Sequence, residues 1–377
     1  MKTSSIVTRI GATILIGFGL TLSAVPRRAI PAPANKPQTD APRIGNARIE
    51  NRALARPLAA ELQTWAQQSA QPQWIGYTVP QVAGSREVCC APSGSWNQGC
   101  GTCRLEGSDH GVNMNSRDAN AKLEDPREIG ILFRAENHKI TKIRVVSSEC
   151  TLDAGGLPFV WLTGVKPAES VAVLSGYVHG ENFEERDDNR MGHEALTAVA
   201  LHADQSADRA MESFVRPAER EALRKQAAFW LGEARGKAGL AALQQMAKSD
   251  PSTEVRAQVT FALSVSREPG AIDEMIRMAH DDESGQVRGQ ALFWLAQKAG
   301  KKAQGAITGA IENDPDTEVK KKAVFALSQM PKDEGVPKLI QVAQTNRNPA
   351  VRKQAMFWLG QSNDPRALEF FEKVLSQ

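Results

Sequence analysis

The stretch VRGQALFWLAQ at residues 287–297 decides how the second half of this chain folds, because nearly the same eleven residues occur five times. The other copies are LRKQAAFWLGE, VRAQVTFALSV, VKKKAVFALSQ and VRKQAMFWLGQ, which begin at Leu223, Val255, Val319 and Val351. Successive copies start 32 residues apart, and no insertion changes that spacing. A fixed period of this length is typical of structural units that stack on one another.

Each copy has the periodicity of a helix that is buried on more than one side. On a helical projection of the second copy, one arc of about 100° holds the apolar residues Val255, Val259, Ala262 and Leu263. Phe261 points away from this arc, so we expect a neighbouring unit to cover it. A second apolar-striped segment precedes each copy. The unit is therefore predicted to be a helical hairpin.

The recurring pattern V-R-x-x-A-x-x-A/W-L, with an Asp-Pro turn before it at Asp250-Pro251 and Asp314-Pro315, resembles the HEAT repeats. The similarity is to their short bacterial form, which also occurs in phycobilisome lyase-like proteins. It covers about half of the chain and implies an α-solenoid over residues 191–377. Such a resemblance indicates architecture and says little about activity.

The N-terminal residues 1–24 are typical of an export signal. Lys2 and Arg9 provide positive charge, an apolar run extends from Ile10 to Leu22, and Ser23-Ala24 provides a small-residue cleavage site. We therefore predict an exported protein, located in the periplasm or outside the cell. Contact with a membrane is expected only if the signal stays uncleaved.

A small α+β domain is predicted over residues 46–178, between a Pro/Ala-rich linker at 25–45 and an acidic linker at 179–190. Its expected elements are a helix from Pro57 through Trp65, strands at 74–79, 129–133, 140–146 and 159–162, and a helix at 167–177. The alternation of the third strand changes face near Ile140, which is typical of a β-bulge.

The cysteines of this domain are Cys89, Cys90, Cys100, Cys103 and Cys150. In an exported protein they meet an oxidising compartment, so we expect disulfides, whose connectivity the sequence does not determine. One alternative is a zinc site formed by Cys90, Cys100, Cys103 and His110. Another is a redox role for the CxxC motif, although no helical pattern follows that motif. Adjacent cysteines and a single CxxC pair favour the disulfides.

Two rows of charged residues follow the 32-residue period. The acidic row holds Asp250, Asp282 and Asp314, and the basic row holds Arg256, Arg288 and Arg352, with Lys320 between the last two. Because the two rows match, we predict an internal ladder of ion pairs. A net charge of +3 gives no broad field for a nucleic acid, so no nucleic-acid partner is expected.

One arc of the repeated helix remains after these assignments, at about 140° to 200° on the projection. It holds Lys225, Ala228, Thr260, Leu292, Lys321, Val324, Lys353 and Met356. An apolar row edged by lysines suits a peptide or a partner helix, so the arc is predicted to bind one. The alternative is an unselective surface.

The chain carries no nucleophile elbow, Walker loop, HExxH motif or dinucleotide-binding glycine motif. The sequence therefore predicts a non-catalytic scaffold or adaptor for a protein or peptide partner in the cell envelope, without a cofactor. The alternative function is that of a metal-binding or redox protein centred on the loop from Cys89 to Cys103.

Overall fold

The computed structural model describes residues 43–84, 102–106, 128–148, 150–180, 191–298 and 300–376. These residues belong to one compact unit, in which a mixed α/β part leads into a stack of helices. The predicted export signal, nearly all of the Pro/Ala-rich linker and residues 181–190 of the acidic linker lie outside the described residues. The predicted domain boundaries therefore stay predictions.

The α/β part is built on two sheets. Its strands are β1 (Ile44–Gly45), β2 (Arg48–Ala53), β3 (Gln73–Pro80), β4 (Thr102–Arg104), β5 (Glu128–Glu136), β6 (Lys139–Ser147), β7 (Thr151–Asp153) and β8 (Pro158–Thr163). The larger sheet has the order β2-β8-β3-β5-β6, with parallel pairs at β2–β8 and β8–β3 and antiparallel pairs at β3–β5 and β5–β6. The smaller sheet, β1-β7-β4, is parallel.

The hairpin β5–β6 contains the bulge that the sequence predicts. Arg134 pairs with Lys142 and Ala135 pairs with Ile140, so Thr141 is an extra residue in β6. Its two-residue turn, Asn137-His138, has positive φ at both positions, 52° and 62°. That is the geometry in which a tight turn matches the twist of its strands.

Four helices connect the larger sheet to the stack: α1 (Leu58–Gln68), α2 (Pro167–Gly180), α3 (Met191–Leu201) and α4 (Gln205–Phe214). One hydrophobic core continues from the sheet through these helices into the stack. A buried polar chain crosses the same region, because the Tyr77 hydroxyl lies 2.8 Å from the Ser170 hydroxyl, which lies 2.9 Å from His202 Nε2. The Arg235 guanidinium donates to the carbonyl oxygen of His202 at 2.7 Å. Sheet and stack are therefore joined by both apolar and polar contacts.

Five helical pairs form the stack. The helices are α5 (Glu221–Ala234), α6 (Gly236–Ser249), α7 (Thr253–Val265), α8 (Gly270–Asp281), α9 (Gly285–Lys298), α10 (Gly300–Asn313), α11 (Thr317–Ser328), α12 (Lys332–Thr345), α13 (Pro349–Gln361) and α14 (Pro365–Leu375). The odd helices from α5 to α13 begin 32 residues apart, at the period of the sequence. Within the described ranges, no helix is both long and apolar enough to cross a bilayer.

The odd helices pack against one another more closely than the even helices do. A stack whose two layers differ in this way curves toward the tighter layer, so the odd helices line its inner side. Small residues allow the two helices of a pair to approach, at the buried positions Gly239, Ala271, Ala303, Gly335 and Ala367. A Cβ atom at Gly239 would lie 2.0 Å from the carbonyl oxygen of Leu231, so this position cannot carry a side chain without a shift of the backbone.

Candidate protein-binding face

The arc that the sequence assigns to partner binding is not an exposed row. Ala228, Thr260, Leu292 and Val324 are 0% exposed. Lys225, Lys321 and Met356 are partly exposed, and of the predicted residues only Lys353 is exposed. The predicted exposure of this row is therefore wrong.

The reason is the close packing of neighbouring odd helices. Gly289 lies one turn before Leu292, and a Cβ atom at Gly289 would be 2.3 Å from the Lys322 side chain of the next odd helix. This flank of α9 is therefore covered by α11. The lysines of the arc are engaged within their own helices, since Lys225 pairs with Glu221 at 3.2 Å and Lys321 with Glu318 at 2.9 Å.

The inner side of the stack presents a row of phenylalanines instead: Phe229, Phe261, Phe293, Phe325 and Phe357. The first four are partly exposed, and Phe357 is 54% exposed. The rings of Phe229 and Phe261 stack with centroids 5.9 Å apart, and those of Phe293 and Phe325 with centroids 6.0 Å apart.

Tryptophans close the gaps in this row. Trp294 lies 4.9 Å from both Phe261 and Phe293, and Trp358 lies 4.9 Å from Phe325 and 5.0 Å from Phe357. The rings thus form one continuous aromatic row across five helices. Offset and edge contacts at these separations are favourable for aromatic pairs.

Mostly polar side chains, largely glutamines, flank the aromatic row on both sides. Three residues before each phenylalanine stand Gln226, Gln258, Gln290, Lys322 and Gln354, and four residues after it stand Glu233, Val265, Gln297, Gln329 and Gln361. Residues at these spacings share a helix face with the phenylalanine. None of the ten is buried. We call the phenylalanine row with its two flanking rows the Phe–Gln face.

The Phe–Gln face combines two kinds of contact. The rings supply a continuous apolar strip, and the carboxamide of each glutamine both donates and accepts hydrogen bonds. A peptide that crosses the odd helices therefore meets apolar surface in the middle and polar partners at the edges. Nothing in this arrangement supplies a nucleophile, so it is suited to binding.

The charged rows of the sequence lie between the turns of the stack. Arg224 donates to both carboxylate oxygens of Asp250 at 2.8 and 3.0 Å, and Arg256 contacts those of Asp282 at 2.9 and 3.2 Å. Arg288 contacts those of Asp314 at 2.7 and 2.9 Å. Sequence analysis did not assign Arg224 to this ladder. Arg352 instead donates to the backbone carbonyls of Asn346 and Arg347 at 2.8 and 3.1 Å.

Each of these arginines also binds the preceding turn, as Arg288 does through the carbonyl oxygen of Asp282 at 2.8 Å. Burial acts to raise the pKa of Asp314, but hydrogen bonds from Arg288 and from the Asp316 backbone outweigh it and lower the pKa. The hydrogen bond to Asp314 is the main reason why the pKa of Arg288 is raised. These buried pairs are occupied by one another, so they hold the stack together and offer no charge to a ligand.

The cysteine loop is described only in part. Cys103 and Cys150 are buried, at 3% and 1% exposure, in a second apolar cluster beside the larger sheet. Cys89, Cys90, Cys100 and His110 lie outside the described residues. In the part of the chain that the structure describes, no three His, Cys, Asp or Glu side chains are grouped to hold a metal ion. The disulfides, the zinc alternative and the redox alternative all stay predictions.

Comparison with known proteins identifies the stack. Residues 209–296 and 305–377 match the family model of HEAT repeats. The predicted HEAT-repeat solenoid is therefore confirmed, while the N-terminal part is not placed in a family. No curated protein sequence matches the chain.

Solved structures resemble the stack at low identity. One is the complex of CpcE and CpcF of phycocyanin lyase from Nostoc sp. PCC7120, with 18% identity, a TM-score of 0.30, and 55% of this chain and 80% of that chain covered. Another is the complex of Kap95p with RanGDP, with 17% identity, a TM-score of 0.35, and 56% and 33% covered. The S. pombe condensin Cnd3-Cnd2 subcomplex shows 17% identity and a TM-score of 0.33, with 52% and 28% covered. These values carry no argument about function.

Proposed function

We propose that this HEAT-repeat protein is a non-catalytic scaffold that binds a protein or peptide partner through the Phe–Gln face. The observation that carries the proposal is the continuous row of aromatic rings from Phe229 to Phe357, which stays accessible on the inner side of the stack. Contiguous exposed apolar surface with a polar rim marks interaction sites on soluble proteins. Aromatic side chains also provide large contact areas at low entropic cost.

The partner that fits this face is a peptide segment with apolar side chains at regular intervals. Rings about 6 Å apart, as at Phe229–Phe261, are close to the 5.4 Å rise of one helical turn. An amphipathic helix laid along the row would therefore place one apolar residue per turn near each ring. The flanking glutamines would then bind polar groups of the segment.

We further propose that this binding takes place outside the cytoplasm, in the cell envelope. The support for this is the predicted export signal at residues 1–24 and the predicted disulfides of Cys89, Cys90, Cys100, Cys103 and Cys150. The partner is then a protein that shares this compartment.

A displayed library of random peptides tests the proposal on the full chain. We expect the protein to enrich peptides with periodic apolar residues. The triple variant Gln258→Ala, Gln290→Ala, Phe357→Ala should bind the enriched peptides at least about tenfold more weakly, since each interface side chain lost at a binding centre costs about 1 kcal/mol or more. All three side chains reach solvent, so the fold should be kept.

A matched control changes the same residue types on the even helices. The variant Gln245→Ala, Gln344→Ala, Leu368→Ala also removes two exposed amides and one exposed apolar side chain. It should bind the enriched peptides with unchanged affinity. Equal losses in the two variants, or no enrichment at all, would show that the Phe–Gln face is not the binding surface.

A further inference from the structure

The ladder between the turns changes composition at one step. Lys320 and Asn346 stand where Arg288 and Asp314 stand one repeat earlier. Lys320 Nζ donates to the carbonyl oxygen of Glu312 at 2.8 Å, and Asn346 Oδ1 accepts from the backbone N–H of Asn348 at 2.9 Å. The two residues thus bond to the backbone, and the bidentate pair of the earlier turns is replaced.

A cavity of about 450 Å³ opens at this step, between α10, α11 and α12. Three buried apolar side chains line it (Ile311, Leu327 and Val342), as do three basic ones (Lys320, Lys338 and Arg347). In the described ranges, α10 and α12 also contact each other less than other consecutive even helices do. The volume falls within the range of about 300–1,000 Å³ that is typical of ligand pockets.

The positive charge at this cavity is not neutralised by the protein. Glu312 is the one carboxylate among the lining residues, against three cations. None of Lys320, Lys338 and Arg347 forms an ion pair with a carboxylate of the described residues. Lys338 Nζ lies 3.5 Å from Gln341 Oε1, which is a weak contact. In the earlier turns, by contrast, each arginine is paired with an aspartate.

We propose that this cavity, which we call the open-step pocket, binds a carboxylate-bearing ligand. The lysines and the arginine would form charge-assisted hydrogen bonds with the carboxylates, and the apolar lining would contact the carbon atoms between them. Amides such as Gln341 and Asn346 complete the pocket and suit the remaining polar groups. The site lies mainly between even helices, so it is separate from the Phe–Gln face and does not depend on it.

Carboxylates reach such a pocket from an acidic peptide segment or from a free polycarboxylate. Two probes distinguish these sources: a fluorescein-labelled hexapeptide of sequence Glu-Glu-Leu-Glu-Glu-Leu, followed by anisotropy, and citrate as its competitor. Tighter binding of the peptide would identify a peptide segment as the ligand, and tighter binding of citrate would identify a small polycarboxylate. Absence of binding by both probes would overturn the proposal.

Single substitutions test whether the pocket is the site. Lys320→Ala and Lys338→Ala should each weaken probe binding by about tenfold or more, because each removes one charge-assisted hydrogen bond. Lys373→Ala removes an exposed cation of α14 and changes the net charge equally, so it should leave binding unchanged. Equal weakening by all three variants would mean that net charge alone attracts the probe, and would overturn the proposal.

A restored ladder step gives the sharpest control. The double variant Lys320→Arg, Asn346→Asp recreates the pair of the earlier turns, so it should fill the pocket and abolish probe binding while circular dichroism stays unchanged. The triple variant Gln258→Ala, Gln290→Ala, Phe357→Ala should bind the probe normally. Retained binding in the restored variant would contradict the site, whatever the outcome for the Phe–Gln face.

Discussion

His202 is a buried histidine whose charge state bears on stability. It is 0% exposed, its Nδ1 lies 2.6 Å from the carbonyl oxygen of Ala198, and its Nε2 lies 2.9 Å from the Ser170 hydroxyl. Burial lowers its pKa from 6.5 to about 4, although the hydrogen bond to Ala198 acts in the opposite direction. The ring is therefore neutral in the folded protein at pH values where an unfolded chain would bind a proton.

The consequence is a loss of stability in mild acid. Above pH 6.5 both states hold a neutral ring, and below that pH the unfolded state gains a proton that the folded state takes up only near pH 4. We expect the free energy of unfolding to fall by about 3 kcal/mol between pH 7 and pH 4 from this residue alone. Urea denaturation at several pH values measures it.

Two variants isolate this contribution from the carboxylates that titrate in the same range. His202→Gln should flatten the pH dependence, because the variant has no proton to bind at this position. His280→Gln, at an exposed histidine, should keep the dependence of the original chain. Identical slopes for the original chain and for His202→Gln would contradict the assignment.

The interhelix turns allow a matched prediction, because the same repeat position is closed by an arginine in one unit and left open in the next. Arg288→Ala leaves the buried Asp314 carboxylate without its partner, so we expect a loss of about 3–5 kcal/mol in the free energy of unfolding. Lys320→Ala removes only a partly exposed lysine bonded to a backbone oxygen, so a change below about 1 kcal/mol is expected. Chemical denaturation of both variants measures the difference. Similar losses would show that the ladder is not what stabilises the turns.

The helices of the stack were predictable from the sequence, but their exposed side was not. A period of 32 residues and the apolar stripe through Val255, Val259 and Leu263 are local properties, and the structure contains helices at these places. Leu292 and Phe293 are adjacent and both apolar, so composition does not tell which of them faces solvent. The close approach of neighbouring odd helices decides it, and that approach depends on small residues such as Gly289.

A signal for the Phe–Gln face is nevertheless present in the sequence. Glutamine precedes the phenylalanine by three residues in four of the five copies, at Gln226, Gln258, Gln290 and Gln354. A polar residue that recurs at this spacing marks the solvent side of a helix. The open-step pocket has a similar signal, since Lys320 and Asn346 break the rows of arginine and aspartate. Its volume follows only from the positions of α10 and α12.

At the scale of the whole molecule, the stack and the sheet share one hydrophobic core, and the polar chain from Tyr77 to Arg235 crosses their junction. The α/β part is therefore an anchor for the first repeats. It leaves the inner side of α5 to α13 accessible along its length. The molecule is organised to present the Phe–Gln face from a fixed base.

Site-specific cross-linking of the full chain in its native cells tests the central claim most directly. A photoreactive p-benzoyl-phenylalanine would replace one residue at a time, at Gln258, Gln290 or Gln354 on the Phe–Gln face and at Gln245 or Gln344 on the even helices. We expect one discrete partner to be cross-linked from all three inner positions and from neither outer position. Cross-links from the outer positions alone, or to the same proteins from both sides, would contradict the claim.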